Sequence, residues 1–315
     1  MSVPKVAAVI GAGTMGPGMA AVLARAGSEV RLYDISDEVL ERARGGYEMA
    51  TGALDRVEAA SAPGGSVAFE SDLAGALADA ELVLEAVPEK LDLKREVIAA
   101  FEDHLADDAI IASNTSGIPI TQIATALKHP ARLIGMHWSN PPHLIPMIEV
   151  VPGEQTAAAT TEKIVQIIES FGYEAVTEKE VPGFVENRIL YAILRECLSL
   201  VEQGIVSEAD MDTCVKWGIG YKLAVIGPMR LLDLAGLDIY SSVASYLNPD
   251  LSAATEVPEM IREKAGAGQL GMKTLGGIYP YTAEQVAERR AEIAKGLIAV
   301  RKTLSALSPS ARKSR

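Results

Sequence analysis

The chain has 315 residues, 49% of them apolar, a formal net charge of −13 at pH 7 and two cysteines. Its length and apolar content allow two domains with sizeable cores. The charge argues against nucleic acid or an anionic membrane surface as a partner. Cys197 and Cys214 form no Cys-x-x-Cys pair and the histidines do not cluster, so no metal site is expected. No stretch reaches the roughly 18 uninterrupted apolar residues of a membrane span. With free thiols and a first strand close to Met1, a cytoplasmic protein without a cleaved leader is expected.

The first apolar run, Val6–Ile10, predicts a short buried strand. Gly11-Ala12-Gly13-Thr14-Met15-Gly16 follows it and opens a helix over 15–25. A second strand, Glu29–Tyr33, then ends at Asp34, 23 residues after Gly11. This is a Gly-x-Gly-x-x-Gly turn between strand and helix, and its chemistry needs each part. Gly11 permits the tight turn, Gly13 lets the backbone approach a pyrophosphate, and Gly16 lets helix and strand pack closely. Backbone N–H groups at the helix start, around Thr14 and Met15, face the phosphate charge. The carboxylate of Asp34 can accept hydrogen bonds from adenosine ribose hydroxyls and would repel a 2′-phosphate, so NAD is expected rather than NADP. A helix N-cap is the other use for Asp34, although Ser36 or Asp37 suits that duty better.

Further apolar strands are predicted at 67–69, 82–87, 109–112, 133–136, Met147–Val151 and Glu174–Thr177. Helical patterns over 90–105, 121–127 and 157–171 alternate with them. Such alternation predicts an α/β fold, a Rossmann-type mostly parallel sheet covered on both faces. The pattern ends near 181–183. Beyond it only helices are predicted, over 184–203, 208–217, 229–248 and 282–307. The expected organisation is an NAD-binding domain over 1–182, an all-helical substrate and dimerisation domain over 183–307, and a disordered tail over 308–315. The helix over 184–203 is apolar on nearly every face, so it is expected to be buried and to favour a homodimer.

A dehydrogenase needs a base for the hydroxyl proton, and histidine suits that task. Of four histidines, His104 stands among acids at a helix end and His129 lies in a turn. His137 directly follows a parallel strand, at the end where open sheets bind ligands. Glu149 comes twelve residues later, within a strand.

Four separated motifs, Ser113-Asn114-Thr115-Ser116, Gly135-Met136-His137-Trp138-Ser139-Asn140-Pro141, Glu149-Val150-Val151 and Pro182-Gly183-Phe184-Val185-Glu186-Asn187-Arg188, together resemble the 3-hydroxyacyl-CoA dehydrogenase family. The resemblance spans nearly the whole chain. It implies an NAD-dependent oxidoreductase with a catalytic His137–Glu149 pair, and with Ser116 and Asn187 hydrogen-bonded to the reacting oxygen. It also implies that Glu89, Lys94 and Asn140 border the nicotinamide half of NAD. Glu89 and Lys94 near a helix start could instead be a solvated surface. Lys273 resembles a lysine of a family loop, but the residues after it differ.

The region 37–60 contains no lysine and six acids, whereas acyl-CoA members carry lysines there against the phosphates of CoA. The stretch from His137 to His143, and that from Trp217 to Pro228, resemble a family member that acts on a pyridine aldehyde carboxylate in vitamin B6 breakdown. Trp138 and His143 could line a pocket for a small carboxylate, or serve packing and loop structure. The substrate readings are therefore a 3-hydroxyacyl-CoA or small β-hydroxy carboxylate, or a pyridine aldehyde whose hydrate His137 activates. A non-catalytic NAD-binding protein is the third reading. A related β-hydroxyacid dehydrogenase mechanism needs a lysine four residues before Asn187, where this chain has Gly183.

Overall fold

The computed structural model describes residues 3–307; the tail expected to be disordered lies outside them. Eight strands are present: β1 Val6–Ile10, β2 Glu29–Tyr33, β3 Ser66–Glu70, β4 Leu82–Glu85, β5 Ile110–Ser113, β6 Leu133–Trp138, β7 Met147–Val151 and β8 Glu174–Thr177. They form one sheet in the order β3-β2-β1-β4-β5-β6-β7-β8. Every neighbouring pair is parallel except β6 and β7. Residues 139–146, which join those two strands, are too few for a crossover, which takes a dozen or more residues, so the chain must turn back on itself.

The strands alternate with α1 Gly16–Arg25, α2 Asp37–Arg56, α3 Leu73–Leu77, α4 Leu91–Phe101, α5 Ile120–Ala124 and α6 Ala158–Ser170. Side chains of a strand point alternately to its two faces. Val9, Leu84, Ile134 and Met136 pack with α1, α2 and α6. Ile10, Val83, Ile111 and Leu133 pack with Leu77 of α3, Ile98 and Phe101 of α4 and Ile120 of α5. With both faces covered, the central strands read as continuous apolar runs. Strand β6 extends two residues beyond its expected end, which places His137 within the strand and not after it.

The remaining helices are α7 Phe184–Glu202, α8 Glu208–Cys214, α9 Tyr221–Ile226, α10 Pro228–Ala235, α11 Leu237–Leu247, α12 Glu259–Gly266 and α13 Ala283–Leu307, with a π-helical turn Val215–Gly220 between α8 and α9. The single helix expected over 229–248 breaks at Gly236, whose φ of +100° suits glycine alone.

The chain divides into two compact units. One runs through Asn187 and takes in Gly296–Lys302, and the other begins at Arg188. The boundary therefore lies inside α7, five residues past the change of pattern at 182/183, because the first turn of α7 is tied to the sheet through Phe184. Beyond that turn the expectation of a buried helix fails. Ile189, Leu190, Tyr191 and Leu194 are exposed, and Val286 is the one buried residue among those described in the second unit. Apolar composition marks a surface that can be covered, and among the described residues of the single chain nothing covers this one.

Ile134 on β6 is fully buried between the sheet and its helices. Ile134→Ala should cost about 2–5 kcal/mol in chemical denaturation, the loss of its transfer energy plus the cavity left behind. A loss below about 1 kcal/mol would contradict this packing.

Candidate active site

The glycine turn after β1 is built around backbone contacts that no side chain could share. Gly11 has φ +111°, and a Cβ there would lie 2.6 Å from Ala86 O; a Cβ on Gly16 would lie 2.2 Å from Gly11 O. Gly13 has no heavy atom within 4 Å of its Cβ position, which leaves the backbone open to a ligand. Asp34 follows β2 and accepts the Ala12 N–H at 3.0 Å and the Ser36 N–H at 3.1 Å. Ser36, not Asp34, caps α2, its Oγ accepting the Val39 N–H. A cavity of about 740 Å³ runs along Gly11, Thr14, Met15, Asp34, Val87 and Val97. Open glycine backbone, a helix start and a carboxylate at the end of β2 fit a dinucleotide.

A second cavity of about 440 Å³ lies on the other side of Gly13 and Thr14, bounded by Gly18, Asn140, Pro142 and His143. A Cβ on Gly18 would meet Pro142 Cγ at 2.7 Å and His143 Nδ1 at 2.9 Å, so the loop after β6 rests directly on α1. Arg301 holds that loop by donating to His143 O at 2.8 Å. Burial, then the Arg301 charge, hold the His143 pKa below its ordinary value. Its Nδ1 is buried and has no hydrogen-bond partner among the described residues.

At the end of β4, a buried polar network replaces the solvated surface that was one reading of Lys94, while Glu89 stays exposed at its rim. Lys94 is enclosed: its ammonium donates to both Glu85 oxygens at 2.8 and 3.1 Å and to Val87 O at 3.2 Å, and lies 3.3 Å from Glu89. Ser113 Oγ donates to Glu85 at 2.5 Å. Glu89 accepts the Thr115 hydroxyl at 2.6 Å and the Ser116 N–H at 2.8 Å. Burial pushes the Glu89 carboxyl up, but Thr115, Lys94 and Ser116 outweigh it and hold it below its ordinary value. The network thus fixes the turn that carries Ser116. Glu85 and Ser113 gave no sign of this part in sequence, since both lie within continuous apolar strands.

His137 and Glu149 are direct cross-strand partners on β6 and β7, which puts both side chains on one face of the sheet. His137 Nδ1 lies 2.7 Å from Glu149 Oε2, and both residues are buried. Phe184 packs on the imidazole at 5.7 Å between ring centres. Glu149 Oε1 accepts the Val185 and Glu186 N–H groups at 3.0 and 2.6 Å, donors that the first turn of α7 cannot satisfy itself. Burial raises the Glu149 carboxyl, but His137 and the Glu186 amide outweigh it, so its pKa is lowered. A carboxylate only accepts, so the neutral imidazole carries its proton on Nδ1 and keeps the Nε2 lone pair as a base.

Asn187 and Ser116 are also brought together: the Asn187 amide donates to Ser116 O at 2.9 Å. Glu186 accepts a hydrogen bond from Ser139 Oγ, and one oxygen each from Glu186 and Glu149 and one His137 nitrogen lie within 4.8 Å of one another. Glu178 Oε1 accepts the Val185 N–H at 3.1 Å. Neither Glu178 nor Glu186 stood out in sequence, because acids beside a turn and at a helix start are common. The pocket role considered for Trp138 is overturned. Alternation along β6 sends it to the opposite face from His137, where it stacks on Phe171 at 5.9 Å and meets Tyr173 at 5.8 Å. Lys273 is exposed in a short turn, Met272–Thr274, of the second unit.

Lys94→Met should cost about 3–5 kcal/mol in chemical denaturation, because Glu85 is left buried without its counter-charge. Replacing Glu85 with Leu in the same chain should recover most of that loss. Equal stability of Lys94→Met and wild type would refute the pairing.

A family model described as 3-hydroxyacyl-CoA dehydrogenase, NAD binding domain, matches residues 6–181, and its C-terminal domain counterpart matches residues 183–281. A Mesorhizobium japonicum protein named 5-formyl-3-hydroxy-2-methylpyridine 4-carboxylate 5-dehydrogenase is 51% identical, over 94% of this chain and 97% of its own. A probable 3-hydroxybutyryl-CoA dehydrogenase of Deinococcus radiodurans is 36% identical, over 87% of this chain and 99% of its own. A crystal structure of the pyridine carboxylate 5-dehydrogenase, described as an NAD+ dependent dismutase, superposes with a TM-score of 0.94 at 50% identity and covers 97% of this chain and 99% of its own. The glycine turn, the cross-strand His–Glu pair and these matches agree: the chain belongs to the 3-hydroxyacyl-CoA dehydrogenase family and is an NAD-dependent oxidoreductase.

Proposed function

We propose that this enzyme oxidises a small aromatic aldehyde carboxylate, taken up as its hydrate, with His137 as the base. The observation that carries the reading is the 2.7 Å contact between His137 Nδ1 and Glu149. It leaves Nε2 to take a hydroxyl proton, while the fixed carboxylate steadies the imidazolium that forms. Bound NAD supplies the hydride acceptor. Gly11, Gly13, Thr14, Met15, Gly16 and Asp34 are assigned to the dinucleotide, with Glu89 and Asn140 at its nicotinamide end. Lys94 acts there through Glu89 and the Val87 carbonyl, because its ammonium is already engaged.

Ser116 and Asn187 are assigned to the reacting oxygen, where a hydrogen bond strengthens as the C–O bond gains double-bond character. An aldehyde hydrate presents a hydroxyl on the carbon that loses hydride, so the same base serves an aldehyde or an alcohol. The likeness to the pyridine carboxylate enzyme supports the aldehyde. So does α2, which has no lysine to meet the phosphates of a CoA handle. The family itself supports the second reading, a 3-hydroxyacyl-CoA.

In this reading the helical domain, 183–307, joins two copies in a cytoplasmic homodimer. The exposed Ile189, Leu190 and Tyr191 offer the apolar face that a second copy would cover.

NADH formation should be faster with a pyridine aldehyde carboxylate than with 3-hydroxybutyryl-CoA at equal concentration. Turnover of the thioester alone would reverse the substrate assignment. His137→Gln should lower turnover by roughly 10²- to 10⁴-fold, the contribution of a general base. NADH affinity, followed by fluorescence, should stay nearly intact. Undiminished turnover would remove His137 from the reaction.

A further inference from the structure

Glu178 lies one residue past β8, and the reaction described above makes no use of it. Its N–H donates to Val150 O at 3.1 Å, which carries the β7–β8 pairing one residue further. Glu178 Oε1 accepts the Val185 N–H at 3.1 Å, the same N–H that Glu149 Oε1 accepts at 3.0 Å. The two carboxyl groups thus crowd one amide, and the other Glu178 oxygen, Oε2, is buried without a hydrogen-bond partner among the described residues, a setting that disfavours two adjacent charges and leaves one carboxyl protonated. Glu149, held by His137 and two amides, is the anion. Burial first, then the Glu149 charge, push the Glu178 carboxyl up to about 7.

We propose that Glu178 is a positioning residue of the reaction, acting through Glu149: whether it carries a proton sets the charge that steadies the His137 imidazolium. The groups facing it are His137 on β6, Glu149 on β7, and the Val185 and Glu186 amides with the Glu186 carboxylate on α7. On its own segment Lys179 is exposed, and Glu180 is engaged elsewhere by the Thr121 N–H. With Glu178 protonated the carboxyl pair carries one negative charge, and with it ionised, two. Rising pH therefore strengthens the hold on the imidazolium proton, which makes a stronger base for oxidation and preserves a proton donor for reduction. A group that changes charge near neutrality beside the base suits an enzyme running both directions. This inference rests on the reading of His137 as the base.

The test uses full-length protein carrying ¹³C-carboxyl glutamate, with Glu178→Gln as the variant and Glu178→Asp as the conservative control. One glutamate resonance should titrate near pH 7 in wild type and be missing in Glu178→Gln. The pH profile of kcat/KM for aldehyde oxidation should lose its inflection there in the same variant. Its value above neutrality should fall roughly 3- to 10-fold, as for a base weakened by up to about one pK unit, and Glu178→Asp should restore the inflection. If no wild-type glutamate titrates above about pH 6, the proposal is overturned whether or not the variant folds. An unchanged inflection in folded Glu178→Gln overturns it as well. Failure of the base assignment is read separately, as turnover surviving in His137→Gln.

Discussion

The site depends on a single constraint, the antiparallel pairing of β6 with β7 in an otherwise parallel sheet. A parallel neighbour would need a crossover of a dozen or more residues before its strand could return. The short reversal through 139–146 instead brings Glu149 directly opposite His137. Directly opposed residues share a face, so imidazole and carboxylate meet at 2.7 Å without help from any loop. Rigid strands hold this geometry, and with it the Nδ1–H tautomer of His137, better than a flexible segment could.

Around the pair, the structure supplies charge without solvent. The first turn of α7 gives Glu149 two amides that the helix itself cannot satisfy and keeps it anionic in a buried setting. Glu85 of β4, Ser113 of β5 and Lys94 of α4 form a second buried cluster whose outer members, Glu89 and Thr115, hold the Ser116 turn. Burying an ion pair seldom adds net stability. Here the cluster's use is in placement: each member fixes a backbone segment that lines the site.

Much of the fold was legible because its signals are local. Eight apolar runs marked eight strands, and the turn from Gly11 to Gly16 marked the dinucleotide end, since Gly11 and Gly16 answer backbone contacts that a Cβ would block and Gly13 leaves its backbone open. Helix interruptions were less legible. The break at Gly236 looks like an ordinary glycine until its positive φ is seen. The long apolar helix from Phe184 read as buried, yet only its first residue is, because composition cannot say whether a covering surface belongs to the same chain. In the site, His137 and Glu149 were identifiable from motif and chemistry. The roles of Glu85, Glu178 and Glu186 were not, because each depends on neighbours far away in sequence.

By itself, the sequence determined the α/β order of elements, the nucleotide-binding turn with its acid, and the family, all properties of short segments and their spacing. Only the tertiary structure decided which face of the sheet each side chain occupies. It sent Trp138 into the core and His137 toward Glu149, enclosed Lys94 beside Glu85, and brought Glu178 to the Glu149 carboxylate. The reason is physical: strand register and the resulting burial set the partners and charge of each ionisable group, and register is a relation between segments that no single segment contains.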